Sequence, residues 1–355
     1  MRTTADRLDE LRSFLRELEE RPYEHDLYAT LRRIECLFPD KPRLGQAARP
    51  ADEPLRLGQD VSLAFAPAPI AELHRGDDAR PPKLTQRLFG LLGPNGPLPL
   101  HLTDYARERL LHHGDPTLAA FFDMFHHRLL ALFYRAWAQA QPTASLDRPE
   151  DDRFADYVGA LIGIGSPRLR RRDAAGDHPK LFHAGLLARQ VRNADGLRSL
   201  LSSFFHTPVR IERFVGHWMV LPGSERTRLG LFGASSQLGV GAVIGARVWD
   251  RQHKFRIHVG PLEWKDYEDF LPGGLGLPRL IALVRQYLGF ELEWDLGLSL
   301  IHRHQQPLQL GGPGRLGWTS WLGRSRGERD PNDLVLAAES VLARHQGAAP
   351  SPAME

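Results

Sequence analysis

The chain has 355 residues, 42% of them hydrophobic and 25% charged, with a formal net charge of +3. That length allows two domains with substantial cores. The near-neutral charge argues against nucleic acid as the main partner, and no run approaches the ~18–20 apolar residues of a membrane span. One cysteine, Cys36, leaves no intrachain disulfide, and the N-terminus is charged where a signal sequence needs an apolar stretch, so a soluble, cytoplasmic protein is expected.

Thr4 to Glu20 reads as an amphipathic helix, with Leu8, Leu11, Leu15 and Leu18 in heptad-like register and Phe14 beside them. So narrow a stripe suits a helical bundle with partner subunits as well as packing inside the chain. A second helix is predicted from Glu24 to Leu37, with Leu27, Leu31 and Ile34 on one face. From Asp40 to Pro82 seven prolines exclude long helices, and within that span Val61 to Ala66 alternates like a strand.

The stretch Phe89 to Trp137 organises the N-terminal half. It opens on a stiff loop, Gly93, Pro94, Asn95, Gly96, Pro97, Leu98, Pro99, whose prolines fix φ and remove donors. A helix follows, with Thr103 as the expected N-cap and Leu102, Tyr105, Leu110 and Leu111 as apolar positions; Gly114 ends it. Asp115 caps the next helix and Pro116 opens it. That helix carries Leu118, Phe121, Phe125, Leu129, Leu132, Phe133 and Trp137 at three-to-four spacing, widened by Phe122, Leu130 and Tyr134. A helix apolar on more than one face is expected to be packed on more than one side.

Beyond Pro142, a helix starting at Asp151–Asp152 should turn Phe154, Tyr157, Val158, Leu161 and Ile162 inward. A loop with the basic run Arg168–Arg172 leads to helices over Leu181–Val191 and on to Phe205. Val209–Phe214 and Trp218–Leu221 read as a hairpin, Pro222–Gly245 as loop, Phe255–Val259 as a short strand, and Leu277–Leu288 as a helix ended by Gly289. Phe290–Leu300 alternates without a fault, which predicts a half-buried strand whose wet face is Glu291, Glu293, Asp295, Gly297 and Ser299. Asp333–Arg344 could form a last short helix, and the end, residues 347–355, should be disordered. The predicted fold is α+β: an α-rich region 1–145, a mixed region 146–323 with a small antiparallel sheet, a polar and partly disordered tail 324–355, and two protruding Gly/Pro-rich loops.

Sites of chemistry are not evident. The pairs His112–His113 and His126–His127 diverge by about 100° on a helix, and no carboxylate–His–His set accompanies them, so no metal is expected. His302–Arg303–His304 would sit on a strand with both imidazoles on one face. The run Gly239–Gly245 spaces its glycines G-x-G-x-x-x-G, one residue longer than a dinucleotide fingerprint, and no βαβ pattern surrounds it. No nucleophile elbow, P-loop or Cys/His zinc spacing occurs. Catalytic residues and cofactors are therefore not assigned. The alternative is a small-molecule or nucleotide-dependent enzyme using Gly239–Gly245 and the His-rich helices, and a third reading is nucleic-acid binding through Arg168–Arg172. That basic run also suits an acidic partner surface.

One pattern repeats. Gly93–Pro99 is echoed by Gly311 to Gly317; both read G-x-x-G-x-L, and each lies downstream of a Leu-Gly strand segment, at Leu57–Gly58 and Leu296–Gly297. The second copy, through Gly314, Arg315, Leu316 and Gly317, runs on into Trp318, Trp321 and Leu322, with the two tryptophans expected as exposed contact area.

Several long blocks in order resemble the TssG family (also called VasB or ImpH) of type VI secretion. They are Leu31–Glu35 with Pro39–Gly45, the loop and helices of Phe89–Trp137, Asp147–Phe154, Ala188–Asn193, Gly245–Gln252 and Gly314–Gly323. The resemblance implies a structural role: joining two copies of TssF into a baseplate wedge core that binds two trimers of the adaptor TssK, and that assembles with TssE and the VgrG hub. It implies a cytoplasmic baseplate docked at the inner-membrane complex, no cofactor, no nucleic acid and no membrane insertion. Two similar loops would then hold two copies of TssK, with Leu98 and Leu316 as equivalent anchors and Trp318 and Trp321 adding area.

Overall fold

A computed structural model describes residues 4–49, 52–76, 81–230, 232–309, 311–312, 314–323 and 330–347, with side chains from residue 9 onward. The chain is α+β and divides into two units, residues 1–155 and 156–355.

The first unit begins with α1 (Thr4–Glu20) and α2 (Leu27–Leu37), the latter capped by Asp26, whose carboxylate accepts from the Ala29 N–H at 2.9 Å. A three-stranded sheet follows: β1 (Arg56–Gln59), β2 (Ile70–His74) and β3 (Lys83–Gln86), in the order β1-β3-β2. β3 runs parallel to β1 and antiparallel to β2. Val61–Ala66, expected as a strand, is not one. β3 ends at Gln86, and the Asp60 N–H already bonds the Gln86 carbonyl, so the residues beyond have no ladder to join. The helices α3 (Leu100–His113), α4 (Thr117–Gln139) and α5 (Pro142–Leu146) complete the unit.

Its core joins the leucines of α1 and α2 to the sheet. Phe14 and Leu18 are buried with Leu31, Ile34, Leu57 and Leu84, Leu11 is buried and Leu15 is half-buried against the same cluster. The seam read from α1 is thus covered by the chain itself rather than by partner subunits. Leu8 lies outside the described side chains.

The chain passes through α6 (Arg153–Leu161) into the second unit. Phe154, Tyr157 and Leu161 were expected inward but are exposed. Gly159, in the last turn of the helix, is buried instead, and the chain reverses at Gly163 (φ 82°), so that Ile162 and Ile164 enter the second core. Two short helices, α7 (His178–Phe182) and α8 (Ala184–Leu187), stand where one helix was predicted. Next comes α9 (Ala194–Phe205), capped by Asn193.

A four-stranded sheet holds β4 (Val209–Glu212), β7 (Lys254–Leu262), β8 (Glu293–Leu300) and β9 (Leu334–Leu336) in that order. It is mixed rather than antiparallel. β7 and β8 run parallel because α10 (Trp264–Asp269) and α11 (Gly276–Leu288) form the crossover between them. The hairpin expected between β4 and the next strand does not form: Phe214 adopts φ 60°, which turns the chain out of the sheet, and β5 (His217–Val220) pairs with β6 (Arg247–Asp250) as a separate antiparallel ribbon. His302–His304 is a 3₁₀ turn, not a strand.

β8 is buried on both faces, against the expectation of a wet one. Its Asp295 is covered by cross-strand neighbours on β7, with Lys254 Nζ 3.0 Å and Arg256 Nη2 3.4 Å from the carboxylate. Gly297 faces His258, whose ring leaves no room for a Cβ. β9 closes the far edge of β8, and α12 (Ala338–His345) follows it with Ala338 buried and Glu339 paired to Arg285. The segment expected as a tail with a last short helix therefore supplies that helix, over a shorter range, and a strand before it; residues 348–355 lie outside the described residues.

Candidate partner-docking surfaces

α4 is the element around which the first unit is built, and only part of its expected apolar set faces inward: Leu130 and Tyr134 are buried, Leu118, Phe122 and Trp137 pack against core clusters, and the rest of the stripe is exposed. Gly114 ends α3 in the left-handed region (φ 60°), and the Asp115 carboxylate accepts from the Thr117 N–H at 3.0 Å, so the two helices are separated by a sharp turn. The inward face of α4 carries His126, His127, Leu130, Ala131 and Tyr134. β1 is an edge strand, bonded to β3 on one side only, so its Leu57 and Gln59 N–H groups need partners on the other. α4 supplies them. His127 Nδ1 accepts from Leu57 N–H at 3.2 Å, and Asp123 Oδ1 accepts from Gln59 N–H at 3.0 Å.

The same polar face braces the chain just before the stiff loop and the segment at Glu53. His126 Nε2 accepts from the Leu91 N–H at 2.9 Å, which places the ring proton on Nδ1, 3.1 Å from Asp123 Oδ1. His127 Nε2 lies 3.0 Å from Glu53, and Glu53 in turn accepts from the Gly45 N–H. Tyr134 donates to Glu35 at 3.1 Å, and burial followed by the Glu35 charge pushes its phenol well above the ordinary range. Burial opposes ionisation of Asp123. The hydrogen bonds from His126, Lys83 and the Gln59 N–H outweigh it and hold that carboxyl below its usual range. His126 and His127 are thus backbone acceptors, and among the described residues no group of three or more His, Cys, Asp or Glu converges to hold a metal ion.

With polar groups turned in, the aromatic stripe faces out. Phe121, Met124, Phe125, Leu129, Leu132 and Phe133 are exposed, Met124 to 64% and Phe125 to 50%, and α3 adds Tyr105 and Leu111. The expectation that α4 packs on more than one side fails for this face. A contiguous apolar face of this kind on a folded unit marks an interaction surface.

The two repeated loops are built differently. In the first, Gln59 clamps Leu92 through both its carbonyl (2.6 Å) and its N–H (2.9 Å), and Gly93 N–H donates to Thr103 Oγ1 at 3.0 Å. Thr103 is not the N-cap: α3 starts at Leu100, and the buried hydroxyl serves the loop instead. Leu98 is half-buried against Val61, Leu92 and Ala106. Between this loop and Phe65 lies a recess of about 320 Å³, with the Arg87–Asp60 ion pair (2.7 Å) in its lining.

In the second loop, Arg315 N–H donates to Thr319 Oγ1 at 2.7 Å, the Arg315 side chain reaches the Pro272 carbonyl at 3.1 Å, and Tyr267 donates to the Trp318 carbonyl at 2.9 Å. Leu316 and Leu322 are fully exposed, but Trp318 and Trp321 are half-buried against the second core, contrary to the exposed tryptophans read from the sequence. Glycine neighbours do not expose a side chain when the loop lies on a hydrophobic cluster. Pro313 lies outside the described residues. The glycines 239–245 lead into strand β6, so no helix N-terminus follows them to hold a phosphate.

The family model for type VI secretion TssG matches residues 21–323. One chain of "the baseplate complex from the type VI secretion system" superposes with a TM-score of 0.60 at 22% identity, covering 92% of this chain and 94% of its own. One chain of the TssK–TssF–TssG baseplate subcomplex of the type VI secretion system, seen by cryo-electron microscopy, gives a TM-score of 0.50 at 23% identity, covering 59% of this chain and 88% of its own. No curated protein matches the chain.

Proposed function

The chain belongs to the TssG family of type VI secretion, and from that premise we propose that it is a structural scaffold of the baseplate wedge, joining two TssF subunits and docking two TssK trimers. On this reading it works by geometry and carries out no catalytic step. It acts in the cytoplasm within the baseplate that docks at the inner-membrane complex, beside TssE and the VgrG hub.

The observation that carries the reading is the outward aromatic stripe of α4. Its inner face is fixed to the sheet by side chain–backbone bonds, so the outer face is presented rigidly and loses little entropy on docking. Burying six half-exposed apolar side chains is worth on the order of 5–10 kcal/mol gross. Association costs roughly 4–15 kcal/mol, so the stripe alone gives weak binding. A scaffold of this kind needs further contacts, and the braced loops supply candidates: Leu316 and Leu322 from the second, and Pro94, Asn95 and Pro97 from the first, whose Leu98 contributes only its exposed part.

Co-purification with the TssF and TssK homologues of the same secretion system tests the proposal. Phe121→Ser with Phe125→Ser and Leu132→Ser should abolish recovery of TssF at least tenfold while leaving the circular dichroism spectrum unchanged. Leu316→Asp should lose TssK and keep TssF. Wild-type recovery of both partners by all of these variants would end the scaffold reading as drawn.

A further inference from the structure

Between β5 and β6 the chain makes an arm that none of the surfaces above includes. From Leu229 to Ala246 there is no ionisable side chain, yet Leu229, Phe232, Leu238 and Ile244 are each at least 96% exposed. Val220, Trp218 and Trp249 extend the exposed apolar surface down the ribbon, where the two indoles meet edge to face at 5.4 Å.

The arm is built rather than slack. Thr227 sits at its centre: its hydroxyl donates to the Ser235 carbonyl at 2.8 Å and accepts from the Val243 N–H at 2.9 Å. Ser236 Oγ donates to the Arg228 carbonyl, and the Gln237 carbonyl accepts from the N–H groups of Val240, Gly241 and Ala242. Gly241 lies so close to the Ala234 carbonyl, 2.6 Å from where a Cβ would stand, that a larger residue would force it open. Polar groups therefore hold the inside of the arm and apolar side chains cover its outside, the inverse of an ordinary solvated loop.

The charges are arranged around this tip. Arg226, Arg228 and Arg247 stand where the arm leaves the ribbon, with Glu225 as the one acid among them; Arg228 and Arg247 form no ion pair among the described residues. Among its described residues the tip is otherwise irregular backbone, with a 3₁₀ turn at Ala234–Ser236. Irregular backbone is not tolerated in lipid, where every exposed peptide group needs a partner. A protein cleft can supply those partners.

We propose that residues 222–246 are a docking arm that inserts Leu229, Phe232 and Ile244 into an apolar cleft of another protein in the assembly, with an acidic rim that meets Arg226, Arg228 and Arg247. The proposal rests on the scaffold reading only in taking the partner from the same assembly.

The test uses the full chain co-expressed with the TssF and TssK homologues of its own system. A photo-reactive phenylalanine at Phe232 should cross-link to one of the two, at a segment of apolar residues flanked by Asp or Glu. Leu229→Ser with Phe232→Ser and Ile244→Ser should weaken that contact at least tenfold. Arg228→Glu with Arg247→Glu should weaken it at least tenfold and flatten its salt dependence. Both variants should keep the wild-type circular dichroism spectrum. Four results overturn the arm: no cross-link in an assembled complex, a cross-link only to a second copy of this chain, unaltered binding by the arm variants, or flotation of wild type but not the triple variant with phosphatidylcholine–phosphatidylglycerol vesicles. A wild-type chain that recovers neither homologue fails the scaffold reading itself, which separates the two failures.

Discussion

His127 and Phe125 share α4 but answer to different demands. His127 accepts the Leu57 N–H of an edge strand and faces the buried Glu53, whereas Phe125 is half exposed and meets the Phe121 ring edge to face. His127→Ala should therefore cost about 2–4 kcal/mol, because it leaves a backbone donor and a buried carboxylate without their partner. Phe125→Ala should cost under about 1 kcal/mol, as for most exposed positions. Amide exchange of residues 56–59 measures the difference: it should quicken in the first variant and not in the second. Asp123 makes the same face sensitive to acid. Its carboxyl is held below the ordinary value of about 4. The stability it lends is thus fully present above that ordinary value and is lost as pH falls through the lower folded-state value. Urea midpoints taken between pH 7 and pH 2.5 should fall less steeply at the acid end for Asp123→Asn than for wild type. Periodicity could not reveal any of this. It counts apolar residues and assigns them to the core, but which face of α4 turns inward was decided by the unpaired N–H groups of β1, distant in sequence.

At the scale of elements, the existence of the long helices and their glycine ends were legible, and the N-caps and strand partnerships were not. Gly114 and Gly289 end their helices as read, but the N-caps were not legible: Asp26 and Asn193 cap helices without having been read as caps, and Thr103, read as one, serves the loop instead. Strand β8 was visible from alternation, but its burial on both faces depends on β7 and on β9, whose three residues are too few to register as a pattern. The same holds for β5, which looked like the partner of β4 until the positive φ of Phe214 sent the chain elsewhere. β9 and α12 carry a testable consequence. Leu336 and Ala338 are buried, and Glu339 accepts from Trp294 Nε1 at 3.0 Å while pairing with Arg285. A chain ending at residue 323 would expose one edge of β8 and leave Arg285 without its carboxylate. It should be recovered mainly as aggregate, while a chain ending at residue 347 stays soluble; gel filtration of the two decides. Equal yields of monodisperse protein would show that β9 is dispensable to the sheet.

For the molecule as a whole, the two large cores have no residue in common. One gathers Phe14, Leu31, Leu57 and Tyr134, and the other Leu200, Ile257, Leu283 and Leu296. Each unit also carries its own exposed apolar surface: the α4 stripe in the first, the arm between β5 and β6 and the loop at Leu316 in the second. Separate cores imply separate unfolding, because a buried charge destabilises what it directly contacts and adds independently to changes made far away. Leu31→Asp should then remove or lower one calorimetric transition, and Leu283→Asp the other, each leaving its counterpart within about 2 °C of wild type, on the scale by which ~1 kcal/mol moves a melting point. In the assembly the same division has a different result. Contacts made by both units on one complex strengthen one another through effective concentration, so losing either surface should reduce assembly by more than its own binding energy implies. Calorimetry of the free chain and recovery of the complex, run on the same two variants, separate these effects. A single transition lowered equally by both substitutions would mean that the units melt as one body and that the scaffold is rigid through its cores.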